Sequence, residues 1–152
     1  MDILLDDLTH PAIHALLAEH LASMHAQSPR DSVHALDLTG LRHPSISFWS
    51  AWDDGELAGC GALRALDATH GEIKSMRTPA ALRRRGAGKA LLLHILAEAR
   101  RRGYVRVSLE TGAQDSFAPA HALYLGAGFV DCGPFGDYQP DPNSRFLTLQ
   151  LG

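Results

Sequence analysis

The 152-residue sequence predicts an α/β chain in which helices flank one central mixed sheet. Three observations predict it. Ala87, Leu91, Leu92, Ile95, Leu96 and Ala99 recur at helical spacing. Asp54-Gly55 separates two β-prone runs as a hairpin turn does. Val105, Val107 and Leu109 alternate with Arg106, Ser108 and Glu110, the two-residue period of a strand.

The elements follow in order. "ILLDDL" (3–8) is a short first strand. A helix starts near Thr9 to Pro11, where a proline without N–H costs nothing in the first turn, and carries Ile13, Leu16, Leu17, Leu21 and Met24. It stops before Ser28-Pro29, because the residue preceding proline avoids helical backbone. A second short helical piece is expected over 32–38. "SISFWSAWDDGELAGCGALRAL" (45–66) reads as the hairpin, and 72–77 as another strand. The long amphipathic helix runs from Gly86 to Arg102 and "YVRVSLE" (104–110) is the next strand. A short helix over 118–126 and two closing strands, the last ending in "RFLTLQL", complete the chain.

Composition excludes several classes. A net charge of −3 and a pI near 6.3 argue against a general nucleic-acid binder. Cys60 and Cys132 form no CxxC, so free thiols in a reducing compartment are expected. The acidic start MDILLDDL and the lack of an 18-residue apolar run give no signal peptide and no membrane span, and a cytoplasmic location is expected. Of the nine histidines, His10 and His14 stand at i, i+4, yet no carboxylate or thiolate joins them at ligand spacing; no metal is expected.

The stretch "LRRRGAGKALLLHILAEARRRG" (82–103) carries the chemistry. Arg100, Arg101 and Arg102 complement the negative end of the helix dipole. Arg83, Arg84 and Arg85 sit at the positive end, where each is unfavourable by about 0.3–1 kcal/mol unless an anion arrives. Free N–H groups at a helix start bind anions, and Gly86 and Gly88 let a ligand approach the backbone. A solvated basic loop is the alternative. The P-loop pattern fails because Ala90 follows Gly88-Lys89, and the dinucleotide pattern fails because Leu91 stands where its third glycine belongs.

R-x-x-G-x-G, Arg83 to Gly88, resembles the loop of the GNAT family of acetyl-CoA-dependent N-acetyltransferases. The resemblance extends through "EIKSMRT" (72–78) and "APAHALYLGAGF" (118–129). "SVHALD" (32–37), "FWSAW" (48–52), "LETG" (109–112) and "DPNS" (141–144) are similar to the bacterial YsnE-type subgroup. It covers nearly the whole chain, and so implies one acetyltransferase domain over 1–152. The implied fold is a mixed sheet of about seven strands with about four helices, splayed between strands four and five.

The resemblance also implies roles. Arg83, Arg84, Arg85, Gly86, Ala87, Gly88 and Lys89 would hold the coenzyme A phosphates. Backbone groups around Met76, Arg77 and Thr78 would pair with the pantetheine arm and the acetyl carbonyl, where a preorganised N–H contributes about 3–4 kcal/mol in other acyl-transfer sites. Phe117 stands where many members carry asparagine, and with Ala120 it would pack on the arm. Tyr124 would protonate the departing thiolate. An alkylamine is mostly ammonium at neutral pH, so a base is needed. Glu72, its pKa raised by partial burial, takes that role, with Glu110 as the fallback; a Glu72 paired with a basic neighbour is the alternative. His34, Glu110 and Thr111 would face the acceptor. The implied activity is acetyl transfer to a primary amine, a small molecule rather than a protein, by direct attack in a ternary complex. A noncatalytic acyl-CoA sensor and a protein or peptide acetyltransferase are the competing readings. Exposed late strands suit a homodimer.

Overall fold

The computed structural model describes residues 1–79, 82 and 86–152. Seven strands, β1 (Asp2–Leu5), β2 (Ile46–Asp53), β3 (Glu56–Ala65), β4 (His70–Arg77), β5 (Arg106–Gly112), β6 (Val130–Asp131) and β7 (Ser144–Gln150), lie in one sheet. Their order is β1-β2-β3-β4-β5-β7-β6, and all neighbours are antiparallel except β4 and β5. Among the described residues four α-helices accompany it: α1 (Pro11–Gln27), α2 (Leu38–Leu41), α3 (Ala87–Arg101) and α4 (Ala118–Gly126).

The sheet separates two apolar layers. On one face Ile13, Leu16 and Leu17 of α1 and Leu41 of α2 pack on Phe48, Leu57 and Ala62. On the other, Leu91, Leu92, Ile95, Leu96 and Ala99 of α3 and Tyr124 of α4 pack on Trp49, Leu63, Ile73, Val107 and Leu109. Phe48 and Trp49 therefore point to opposite faces, as the strand period requires. The central strands are buried on both sides, and Ser50 and Ser108 are fully enclosed.

The expected helix over 32–38 does not form. The chain makes a 3-10 turn at Arg30–Ser32, passes extended through Val33, and restarts at Leu38. The Asp37 carboxylate accepts from the Gly40 N–H at 2.8 Å; as an N-cap it needs extended backbone, which ends any helix before it. The strand expected at 104–110 is displaced to Arg106–Gly112, since Tyr104 is tied to the end of α3 by its N–H to the Ala99 carbonyl.

Two features of β4 position the site. Its parallel pairing with β5 runs from His70↔Arg106 to Ile73↔Leu109 and stops, while β4 continues to Arg77 and β5 to Gly112. Both strands keep their outer partners, β3 to Arg77 and β7 to Gly112, so the gap opens only between them. Against β3 the register shifts between Cys60 and Ala62, which face Arg77 and Lys74; the bulge carries Ser75 at φ 56°, left-handed backbone.

Candidate active site

A cleft of about 670 Å³ occupies the gap between β4 and β5. The expected residues Met76, Arg77 and Thr78 line it from the end of β4, and Glu110 and Thr111 from the end of β5. At the α3 side it meets Gly86, Ala87, Gly88 and Lys89, then Phe117, Ala120 and Tyr124. His34 closes it from the α1 side. Arg83, Arg84 and Arg85 lie outside the described residues.

The α3 end is built for close approach. Gly86, the residue before the helix, has φ 85° and supplies no side-chain cap, and it lines the cleft together with the first residues of α3. Phe117 is buried and its ring lies directly against Gly112, where any Cβ would overlap it. Arg77 turns the other way: its guanidinium pairs with Glu19 of α1 at 2.8 Å.

The two carboxylates differ sharply. Glu72 is 1 % exposed and lies at the cleft floor. Its Oε2 accepts from Tyr138 at 2.5 Å and from Lys74 at 3.4 Å, and its Oε1 stands 3.9 Å from Arg64, its cross-strand neighbour on β3. The Lys74 ammonium donates also to the Tyr138 oxygen (3.0 Å) and the His34 carbonyl (3.3 Å), which consumes its three protons. Burial, then the Glu72 charge, hold the Tyr138 phenol far above its ordinary range. Glu72 is thus held through Oε2, while its buried Oε1 has no hydrogen-bond partner among the described residues.

Glu110 accepts from the Ser144 hydroxyl at 2.7 Å. Burial raises its pKa to about 7, against the lowering effects of Ser144 and Lys74. A carboxylate there can take up a proton near neutral pH. Because Leu109 points into the α3 layer, Glu110 meets the cleft from the face carrying α1. Tyr124 meets it from α4 on the opposite side; its ring stacks edge-on to Phe129 and burial raises its phenol pKa. The arrangement therefore sets a carboxylate and a phenol on opposite sides of one gap.

His34 packs edge-on to Tyr138, and burial, with Lys74, lowers its pKa. Tyr138 was not found from the sequence: an aromatic in the loop "FGDYQPDP" carries no spacing that links it to Glu72. Cys60 lies at the cleft base with its thiol donated to the Ser75 carbonyl, and burial pushes its pKa up to about 12, which keeps it from acting as a nucleophile. No group of three or more His, Cys, Asp or Glu side chains suited to a metal ion occurs among the described residues.

The model of the acetyltransferase (GNAT) family matches residues 11–129. The chain belongs to the GNAT acetyltransferase family. Among GNAT relatives, it is 56% identical to the uncharacterized N-acetyltransferase YsnE of Bacillus subtilis (strain 168), over 99% of this chain and 100% of that one. It is 55% identical to the uncharacterized N-acetyltransferase YedL of Escherichia coli (strain K12), over 96% and 92%. A structure described as an acyl-CoA N-acyltransferase from Klebsiella pneumoniae superposes with a TM-score of 0.84 at 30% identity, covering 99% of this chain and 97% of that one. The sheet with its single parallel pair is the GNAT fold, and the protein is an acyltransferase.

GNAT proteins use acyl-CoA, which supplies the acyl group as an activated thioester. The site fits it on two counts. The start of α3 borders the cleft and can bind an anion, and the edges of β4 and β5 beyond their pairing offer backbone groups to an extended arm.

Proposed function

We propose that the protein transfers an acetyl group from acetyl-CoA to the primary amine of a small molecule, by direct attack in a ternary complex. Glu110 accepts the proton that the amine gives up, and Tyr124 protonates the departing thiolate. The observation that carries this reading is the pairing of a carboxylate with a pKa near 7 and a buried phenol across one cleft. Glu72, the base expected from the family strand, has its Oε2 engaged by Tyr138 and Lys74, with the Arg64 guanidinium 3.9 Å from Oε1, so we assign the role to Glu110.

Gly86, Ala87, Gly88 and Lys89 receive the phosphates, together with Arg83, Arg84 and Arg85. Met76 and Thr78 offer backbone groups to the arm, while Phe117 and Ala120 pack beside it. His34 and Thr111 border the acceptor. The cleft of about 670 Å³, which takes the acetyl-CoA arm as well as the acceptor, lies within the range of small-molecule sites, about 300–1,000 Å³.

The test is Glu110→Gln, assayed by thiol release. Removing a general base lowers kcat/KM by about 10²–10⁴-fold. The limb of the pH profile that rises through about 7 should disappear with it, and acetyl-CoA affinity should stay within about 2-fold, under 0.5 kcal/mol. A variant with unchanged kcat/KM and an unchanged pH profile overturns the assignment of Glu110.

A further inference from the structure

The acceptor end of the cleft has an unusual charge pattern. Its outer wall comes from the last turns of α1 and the segment after it: Ser23, Met24, Gln27, Ser28, Ser32 and Val33. None of these side chains ionises. The two imidazoles that flank the wall are neutral near pH 7, because burial, with Arg77 beside His20 and Lys74 beside His34, lowers both pKa values.

The charges on the sheet side are already paired. Lys74 spends its three protons on Glu72, Tyr138 and the His34 carbonyl, leaving none for an acceptor carboxylate. Arg77 is paired with Glu19. Among the described residues lining the cleft near the acceptor, Glu110 is the one carboxylate without a cationic partner within salt-bridge distance; only the Ser144 hydroxyl binds it.

We infer that the acceptor is a monoamine whose remaining body is uncharged at neutral pH. The inference rests on the proposed amine acetylation and narrows its substrate class. One ammonium finds Glu110. A second charge of either sign would leave water for wall side chains that carry none themselves, and the Asp141 carboxylate bonded to that wall already accepts from the Ser32 hydroxyl at 2.5 Å; poorly compensated transfer of a charge is costly. Hydroxyl and apolar groups, by contrast, match what is there. Gln27 donates its amide to Ser23 at 2.6 Å and keeps its carbonyl oxygen as an acceptor, while Met24 and Val33 are apolar.

The test is thiol release by the purified full chain with acetyl-CoA and two matched pairs of amines. Pentylamine against cadaverine adds a second positive charge; phenethylamine against phenylalanine adds a carboxylate. The uncharged-body partner should have the higher kcat/KM in each pair by about 10-fold or more. Gln27→Glu adds one carboxylate to the wall at nearly constant shape, and should move the cadaverine-to-pentylamine ratio upward by about 10-fold. Equal or better use of cadaverine or phenylalanine by the unmodified chain overturns the inference alone, and so does an unmoved ratio in Gln27→Glu. Acetyl-CoA binding without turnover of any amine overturns the proposed acetylation and the inference with it.

Discussion

Deleting one oxygen from Tyr124 isolates the work of its hydroxyl. The ring is buried and packed edge-on to Phe129 at 5.7 Å, so Tyr124→Phe keeps the packing. With the proposed role of the hydroxyl in protonating the thiolate, its loss should lower kcat by about 10²-fold. Acetyl-CoA affinity, read by calorimetry, should change by less than about 2-fold, under 0.5 kcal/mol. Weaker binding with an intact kcat would make the tyrosine a binding residue. Its position was legible because Ala120, Tyr124 and Phe129 sit at fixed spacing on one helix and its turn. The choice between Glu72 and Glu110 was not. Both belong to strands that mix polar with apolar residues, and the deciding contact, Tyr138 to Glu72, spans 66 residues of sequence. Local pattern cannot reach that far.

At the scale of elements, most of the frame was legible where a strong local signal exists. The Asp54-Gly55 hairpin, the apolar period of α3 and the polar character of β4 each mark a feature that the structure contains. What failed was 32–38, where a helical composition yields to the cap at Asp37. The bulge at Ser75 was also illegible, since serine is not a residue that announces left-handed backbone. Close packing between elements supplies a further prediction. Gly112 ends β5 beneath the Phe117 ring, with no room for a Cβ. Gly112→Ala must displace Phe117 from the cleft wall, and overpacking of this kind costs about 1–3 kcal/mol. Both the thermal midpoint and acetyl-CoA affinity should fall. A folded Gly112→Ala chain with unchanged affinity would remove Phe117 from the binding surface.

For the whole molecule, two buried groups on the acceptor side oppose each other in their effect on stability. Glu110 titrates at about 7 in the fold against an ordinary 4.5, because burial penalises its charge more than Ser144 and Lys74 favour it, with Glu72 and Asp141 adding to the penalty. The native state therefore holds this proton longer, and stability falls as pH rises from 4.5 to 7. His20 titrates at about 4 against an ordinary 6.5, through burial first and Arg77 and Lys74 next, with Glu19 opposing. Here the unfolded chain takes the proton first, so stability rises between pH 4 and 6.5. Each displacement corresponds to about 3 kcal/mol at about 1.36 kcal/mol per pH unit. The two nearly cancel where they overlap, and single substitutions should expose them. Relative to the unmodified chain, Glu110→Gln should gain stability progressively from pH 4.5 to 7, and His20→Leu should gain it as pH falls from 6.5 to 4. Denaturant unfolding at pH 5, 6 and 7 reads both trends as differences, so the remaining carboxylates and histidines drop out. Parallel curves for all three proteins would show that neither group is buried with an altered affinity for protons. Opposite trends would mean that burying Glu110 costs stability as pH rises toward 7, and that burying His20 costs it as pH falls toward 4.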